Sequence, residues 1–100
     1  MLKHVVLFKM LENAEGASGK ENALKLAEMF QNLVGKIPQL KKMETGLNIN
    51  NEKVKYDLGL YSEFESMDTL AEYTANPEHL KVKNFVFKII DNRVVVDFEF

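Results

Sequence analysis

One hundred residues, 46% of them hydrophobic and 28% charged, suit one globular domain over residues 1–100 and leave no room for a second. Thirteen basic residues against fifteen acidic ones give a formal net charge of −2 with no long run of either sign, which disfavours a nucleic-acid footprint. Cysteine is absent, removing disulfides, thiol nucleophiles and thiolate metal sites together, and no stretch approaches the roughly 20 apolar residues of a membrane span, so the expectation is a soluble cytoplasmic protein that binds neither nucleic acid nor membrane.

Residues 2–10, LKHVVLFKM, are rich in β-branched and aromatic types. Alternation places Leu2, His4, Val6, Phe8 and Met10 on one face and Lys3, Val5, Leu7 and Lys9 on the other. Both faces are apolar at their centres, so the strand predicts a cover on each side. Residues 12–19 read as a loop, and Ser18-Gly19-Lys20-Glu21 has the spacing of a capping box that opens a helix. Leu26, Phe30, Leu33, Val34 and Ile37 form its apolar stripe, and Pro38 closes it.

Residues 42–50 predict a second strand with Met43, Thr45, Leu47 and Ile49 on one side, and residues 56–65 a third with Tyr56, Leu58, Leu60 and Phe64 together. Gly46 and Gly59 inside these strands point to the close approach of a packed neighbour. Ser66 caps a short helix; Asn76-Pro77 interrupts it and serves as N-cap and first residue of the next, whose stripe is Val82, Phe85, Val86, Ile89 and Ile90. A last strand places Val94, Val96, Phe98 and Phe100 on one side and Arg93, Val95, Asp97 and Glu99 on the other.

The order βαββαβ predicts an α+β, ferredoxin-like fold, a four-stranded antiparallel sheet with its helices on one face. Val5, Leu7 and Val95 are then expected on the uncovered face, and contiguous apolar surface of that kind predicts a homodimer through the sheet face.

The chain has two histidines. His4 lies mid-strand on the face assigned to the helices. His79 falls three residues after Asn76, in a first helical turn, where the helix dipole disfavours imidazolium and leaves the neutral ring that a general base needs. Tyr73 precedes it by six residues, and the break at Asn76-Pro77 allows phenol and imidazole to meet at one pocket mouth, the phenol donating a hydrogen bond to a substrate oxygen while His79 takes a proton. His79, Tyr73 and His4 are therefore the candidate catalytic residues. Each also has a structural reading: a hydrogen-bonded core histidine, a packed tyrosine with a wet tip, a histidine that caps locally. Two histidines and scattered carboxylates form no metal-ligand spacing, and no Gly-rich phosphate loop or nucleophile elbow appears, so neither metal nor cofactor is expected.

The segments LKHVVLFKM, IPQLKKMETGLNIN and FESMDTLAEYTANPEHLKVKN together resemble the stress-responsive dimeric α/β-barrel domain family, Dabb, over nearly the whole chain. The resemblance implies a ferredoxin-like monomer and a homodimer whose two sheets form a barrel. The clearest enzymes of the family are similar to polyketide cyclases that carry out intramolecular aldol condensation without a cofactor. By that resemblance Tyr73 and His79 would act on the substrate and His4 would line the same pocket between sheet and helices. The usual His-Pro-x-His pattern reads Asn76-Pro77-Glu78-His79 here, which removes a paired histidine and keeps the base. Three readings follow: a stress-responsive homodimer with a small apolar pocket and unassigned activity, a cofactor-free cyclase or lyase using Tyr73 and His79, and a non-catalytic structural or protein-interaction module. A small monooxygenase or haem-degrading enzyme, known among other ferredoxin-like dimers, finds no haem-ligand setting in the sequence.

Overall fold

The computed structural model describes residues 1–100, in the order β1 (Leu2–Met10), β2 (Asn13–Ala14), β3 (Ala17–Ser18), α1 (Gly19–Gln31), β4 (Lys42–Leu47), β5 (Leu58–Phe64), α2 (Met67–Ala75), α3 (Pro77–Ile89) and β6 (Ile90–Glu99). Side chains fix the helix starts. Ser18 and Glu21 exchange both bonds of a capping box, as do Ser66 and Thr69, and Asn76 caps α3 by accepting from the Glu78 N–H at 2.9 Å, with Pro77 in the first turn where its missing N–H leaves nothing unsatisfied.

The four long strands form one antiparallel sheet in the order β4-β5-β1-β6, and β2 pairs only with β3 in a small separate ladder inside the segment expected to be loop. Leu2, Val6, Phe8, Leu58, Leu60 and Phe64 project from one face of the sheet onto Leu26 and Phe30 of α1, Leu70 and Tyr73 of α2, and Val82, Val86 and Ile89 of α3, a single buried core. The polar groups sealed in with it are bonded: Asn22 donates to the Ala14 carbonyl at 2.9 Å and Ser62 to the His4 carbonyl at 3.3 Å. No helix is long and apolar enough to cross a membrane. The ferredoxin-like architecture expected from the element order is the one observed.

Four local expectations are corrected. The first helix stops at Gln31, well before Pro38, because Leu33, Val34 and Lys36 bond to carbonyls three residues back and Gly35 turns the chain at φ 87°. Leu33 and Ile37 still reach the core from these turns, whereas Val34 points outward. The second strand ends at Leu47, since Asn48 turns the backbone by accepting from the Asn50 N–H and donating to the Tyr56 carbonyl, leaving Ile49 in solvent and delaying β5 to Leu58. No atom outside its chain neighbours lies within 4 Å of a Cβ built at Gly46, so the packed neighbour expected there is not in this chain.

The fourth correction concerns the uncovered face. The β1–β6 register pairs Lys3 with Phe98, Val5 with Val96 and Leu7 with Val94. Residues directly opposite share a face. Val94, Val96 and Phe98 therefore stand with Val5 and Leu7, while Val95, opposite Val6, belongs to the helix side.

The Asn76 cap is the joint between α2 and α3. Asn76→Ala is expected to lower stability by about 1 kcal/mol, and Asn76→Ser by much less, because serine can cap in its place. Chemical unfolding of the two variants checks this; equal losses would mean that the cap bond contributes little.

Candidate active site

Three elements converge beneath the edge of the helical layer. Strand β1 presents His4 toward the helices, the last turn of α2 presents Tyr73, and the first turn of α3 presents His79. The break at Asn76-Pro77, with Asn76 extended at ψ 135°, swings the two helices so that the Tyr73 and His79 rings meet at 4.7 Å between centroids, tilted by 59°. Phe64 stands 4.9 Å from Tyr73 on one side, and Phe30 stands 6.4 Å from His79 on the other. His4 meets Phe64 edge-on at 6.2 Å. Tyr73 and His79 are thus brought into direct contact, and His4 reaches them through the Phe64 ring.

His79 Nδ1 is buried without a hydrogen-bond partner. Burial pulls the imidazole pKa down to about 4, the charges of Lys83, His4 and Arg93 push the same way, and the Thr74 backbone opposes them without prevailing. The ring is neutral at pH 7. Tyr73, only 2% exposed, has its phenol pushed up by burial, so it keeps its proton as a donor. Leaving a buried polar atom unpaired costs about 1–3 kcal/mol. A hydrogen-bonding group entering the site would remove that cost.

His4 has a partner that the pattern of the sequence does not single out. Its Nδ1 lies 2.5 Å from Asp97 Oδ1, the residue directly across the β1–β6 ladder. The bond orients the ring and turns Nε2 away from the carboxylate. Alternation along residues 93–100 holds the signal: once β6 is laid antiparallel to β1, Asp97 falls on the His4 face.

Three cavities lie elsewhere. One, an open groove of about 660 Å³, runs over Gly46, Gly59, Leu7, Val5 and Tyr61 on the uncovered sheet face. A second, of about 490 Å³, adjoins the start of α1 beside Lys20, Lys55 and Asp57, and the smallest, about 280 Å³, sits by Met1 and Ser66. None of these is lined by His4, Tyr73 or His79. No group of three or more histidine, aspartate or glutamate side chains converges to hold a metal ion.

The family model described as the Stress responsive A/B Barrel Domain matches residues 2–100. The chain belongs to this family. Among curated relatives, the stress-response A/B barrel domain-containing protein HS1 of Arabidopsis thaliana is 29% identical over 100 residues, covering 98% of this chain and 88% of the relative. A second and longer stress-response A/B barrel domain-containing protein of the same plant is 30% identical over 101 residues, covering 97% of this chain, which spans only 36% of that relative. Among solved structures, a protein from Bacteroides fragilis described as dimeric, of unknown function and ferredoxin-like in fold superposes with a TM-score of 0.79 at 32% identity, covering 99% of this chain and 95% of its own. Membership of the stress-responsive A/B barrel family fixes the fold, and the family name carries no reaction with it.

The His79 environment generates a pH dependence with a definite sign. In the unfolded chain the ring gains its proton near pH 6.5, in the folded one only near 4. Between those values the unfolded state binds more protons, so stability is full above about pH 6.5 and falls as pH drops toward 4, by on the order of 1–2 kcal/mol after allowance for solvent screening of a half-buried ring. Urea unfolding from pH 4 to 7.5 should show this decline in the wild type and a shallower one in His79→Gln, with an NMR titration of His79 centred near 4. A midpoint near 6.5 would contradict it.

Proposed function

We propose that this A/B barrel domain works as a homodimer that takes up a small, mostly apolar carbonyl compound at the His79–Tyr73 cluster and moves a proton on it without a cofactor. The observation that carries the reading is the buried, neutral, unpartnered Nδ1 of His79 beside a protonated phenol. A neutral imidazole can accept a proton from the carbon next to a carbonyl, while the Tyr73 hydroxyl donates to the carbonyl oxygen on which charge develops. A base with its pKa near 4 is weak in the empty site. The developing enolate charge beside it favours imidazolium and strengthens the base as the proton moves. His4, oriented by Asp97, is assigned to the wall of the same site. An aldol cyclase or a lyase fits this chemistry equally, and a cytoplasmic location belongs to the same reading.

Homodimerisation through the sheet is supported by apolar side chains on the uncovered face, Leu7, Val94, Val96 and Phe98, each 39–58% exposed, and by a relative of the same fold described as dimeric. One observation favours a non-catalytic module instead: Phe64, Tyr73, His79 and Phe30 pack against one another, and the cavities of about 660, 490 and 280 Å³ lie elsewhere.

Proton abstraction separates the two readings. With 5-nitrobenzisoxazole as a chromogenic probe of any buried base, the wild type is expected to open the ring faster than free imidazole, with a rate that is level at neutral pH and falls toward pH 4. His79→Gln is expected to lose at least tenfold. A wild type no faster than His79→Gln would leave the module reading standing and the acid–base reading without support.

A further inference from the structure

Strand β6 brings charged side chains to the level of the His79–Tyr73 cluster. Its register sets Arg93 across from Phe8, Val95 across from Val6 and Asp97 across from His4, so all three share the helix-side face. Aromatic contacts place His79 between the outer two of these rows. Phe30 links it to Phe8, with ring centroids 6.4 and 5.7 Å away, and Tyr73 and Phe64 link it to His4 by steps of 4.7, 4.9 and 6.2 Å. Chain geometry agrees. From His79 to Ile89, α3 rises about 15 Å, and β6, which leaves directly at Ile90, covers that length by Val94 or Val95 at about 3.3 Å per residue. No helix packs broadly on β6, and Val95 is 40% exposed. Solvent therefore reaches the helix side of this strand between Arg93 and Asp97, level with His79.

Arg93 is the only arginine among the thirteen basic residues of the chain. It is exposed, and no carboxylate lies within ion-pair distance of its guanidinium. Asp97, on the same face, stands about 13 Å farther along the strand and is bonded to His4. Lys83, the lysine whose charge also reaches His79, rests its Nζ 5.7 Å from the ring centroid of the exposed Phe87. One permanent cation, a planar fork of N–H donors, is thus left unpaired beside the buried imidazole.

We propose that the compound taken up at His79 is an oxo acid whose carboxylate is held by Arg93, with the carbon beside its carbonyl presented to His79. The proposal rests on the acid–base reading above and names the substrate class. A guanidinium grips a carboxylate through two parallel N–H···O bonds, which fix orientation as well as distance. The proton then passes from that carbon to the imidazole, and the C–H electron pair passes to the carbonyl oxygen as an enolate that accepts from the Tyr73 hydroxyl. The imidazolium returns a proton to carbon, so nothing is oxidised or reduced. Charge supports the pairing. In the empty site the Arg93 guanidinium opposes protonation of His79. A bound carboxylate offsets that opposition where the imidazolium has to form, and a neutral ketone leaves it in place.

Two probes that differ only in charge test this, 2-oxo-4-phenylbutanoate and its ethyl ester. Proton NMR in D₂O follows exchange of the protons on the carbon beside the ketone. Relative to the uncatalysed rates, the wild type is expected to favour the acid over the ester at least tenfold in kcat/KM. Arg93→Gln is expected to lose that preference, chiefly through a raised KM for the acid, and Arg93→Lys, which keeps the charge, to recover part of it. Catalysed exchange whose acid-to-ester ratio is the same in wild type and Arg93→Gln overturns the proposal and leaves the base reading intact. Exchange no faster than in His79→Gln with either compound overturns both. Circular dichroism checks folding, which the exposure of Arg93 favours. A second readout uses the wild type alone: the acid is expected to raise the midpoint of the His79 NMR titration and the ester is not. Equal midpoints with the two compounds overturn the proposal even if Arg93→Gln fails to fold.

Discussion

Strand β1 is apolar on both faces, and the chain supplies helices for only one. That imbalance organises the molecule. Val6, Phe8 and Leu2 commit one face to the core, and the position of β1 between β5 and β6 spreads the same division across the whole sheet. All three helices must then lie on the Val6 side, which brings the α2–α3 break over the sheet and sets Tyr73 and His79 beside Phe64. The opposite face, carrying Leu7, Val94 and Val96, has no cover within the chain.

The two faces solve different problems with the same period-two alternation. On the helix side, burial without compensation is tolerated at one atom, Nδ1 of His79, where the pKa near 4 and the missing hydrogen bond have a common cause in the apolar setting. Ordinary buried polar groups here are bonded, as Asn22 and Ser62 show, so the exception is specific. On the open side, bulk and its absence alternate instead of charge, and two glycines take positions where valine would serve a strand better. The proposed ligand site and the proposed assembly surface therefore use opposite faces of one sheet, joined through the backbone of β1 and β6.

Much of this is legible in the residues. Capping boxes and the Asn76-Pro77 junction give helix starts because they are local, bonded within three residues, and the strand faces follow from alternation alone. Which faces of different strands coincide is a different kind of information. Alternation within residues 93–100 does not say how that strand is registered against β1, so it leaves Val95 open to assignment on the wrong side; only the pairing of Val6 with Val95 settles it. Asp97 escapes notice as a partner of His4 for the same reason. The end of α1 is misread because turns with three-residue bonds keep nearly the spacing of a helix, so Leu33 and Ile37 continue the stripe after the helix has stopped. At the site, the meeting of Tyr73 with His79 is accessible from the break between the helices, whereas the role of Phe64 as the link to His4 depends on tertiary packing that no local pattern encodes.

Amide hydrogen exchange of β6, measured against protein concentration, tests most directly whether a second copy of the chain covers the open face. Strand β6 is an edge strand exposed along nearly its whole length in the protomer. If a partner sheet covers it, the β6 amides that do not bond to β1 should be strongly protected at high concentration and lose that protection on dilution, while those of β5, interior to the sheet, hold theirs. Exchange in β6 that is fast and independent of concentration would contradict the account.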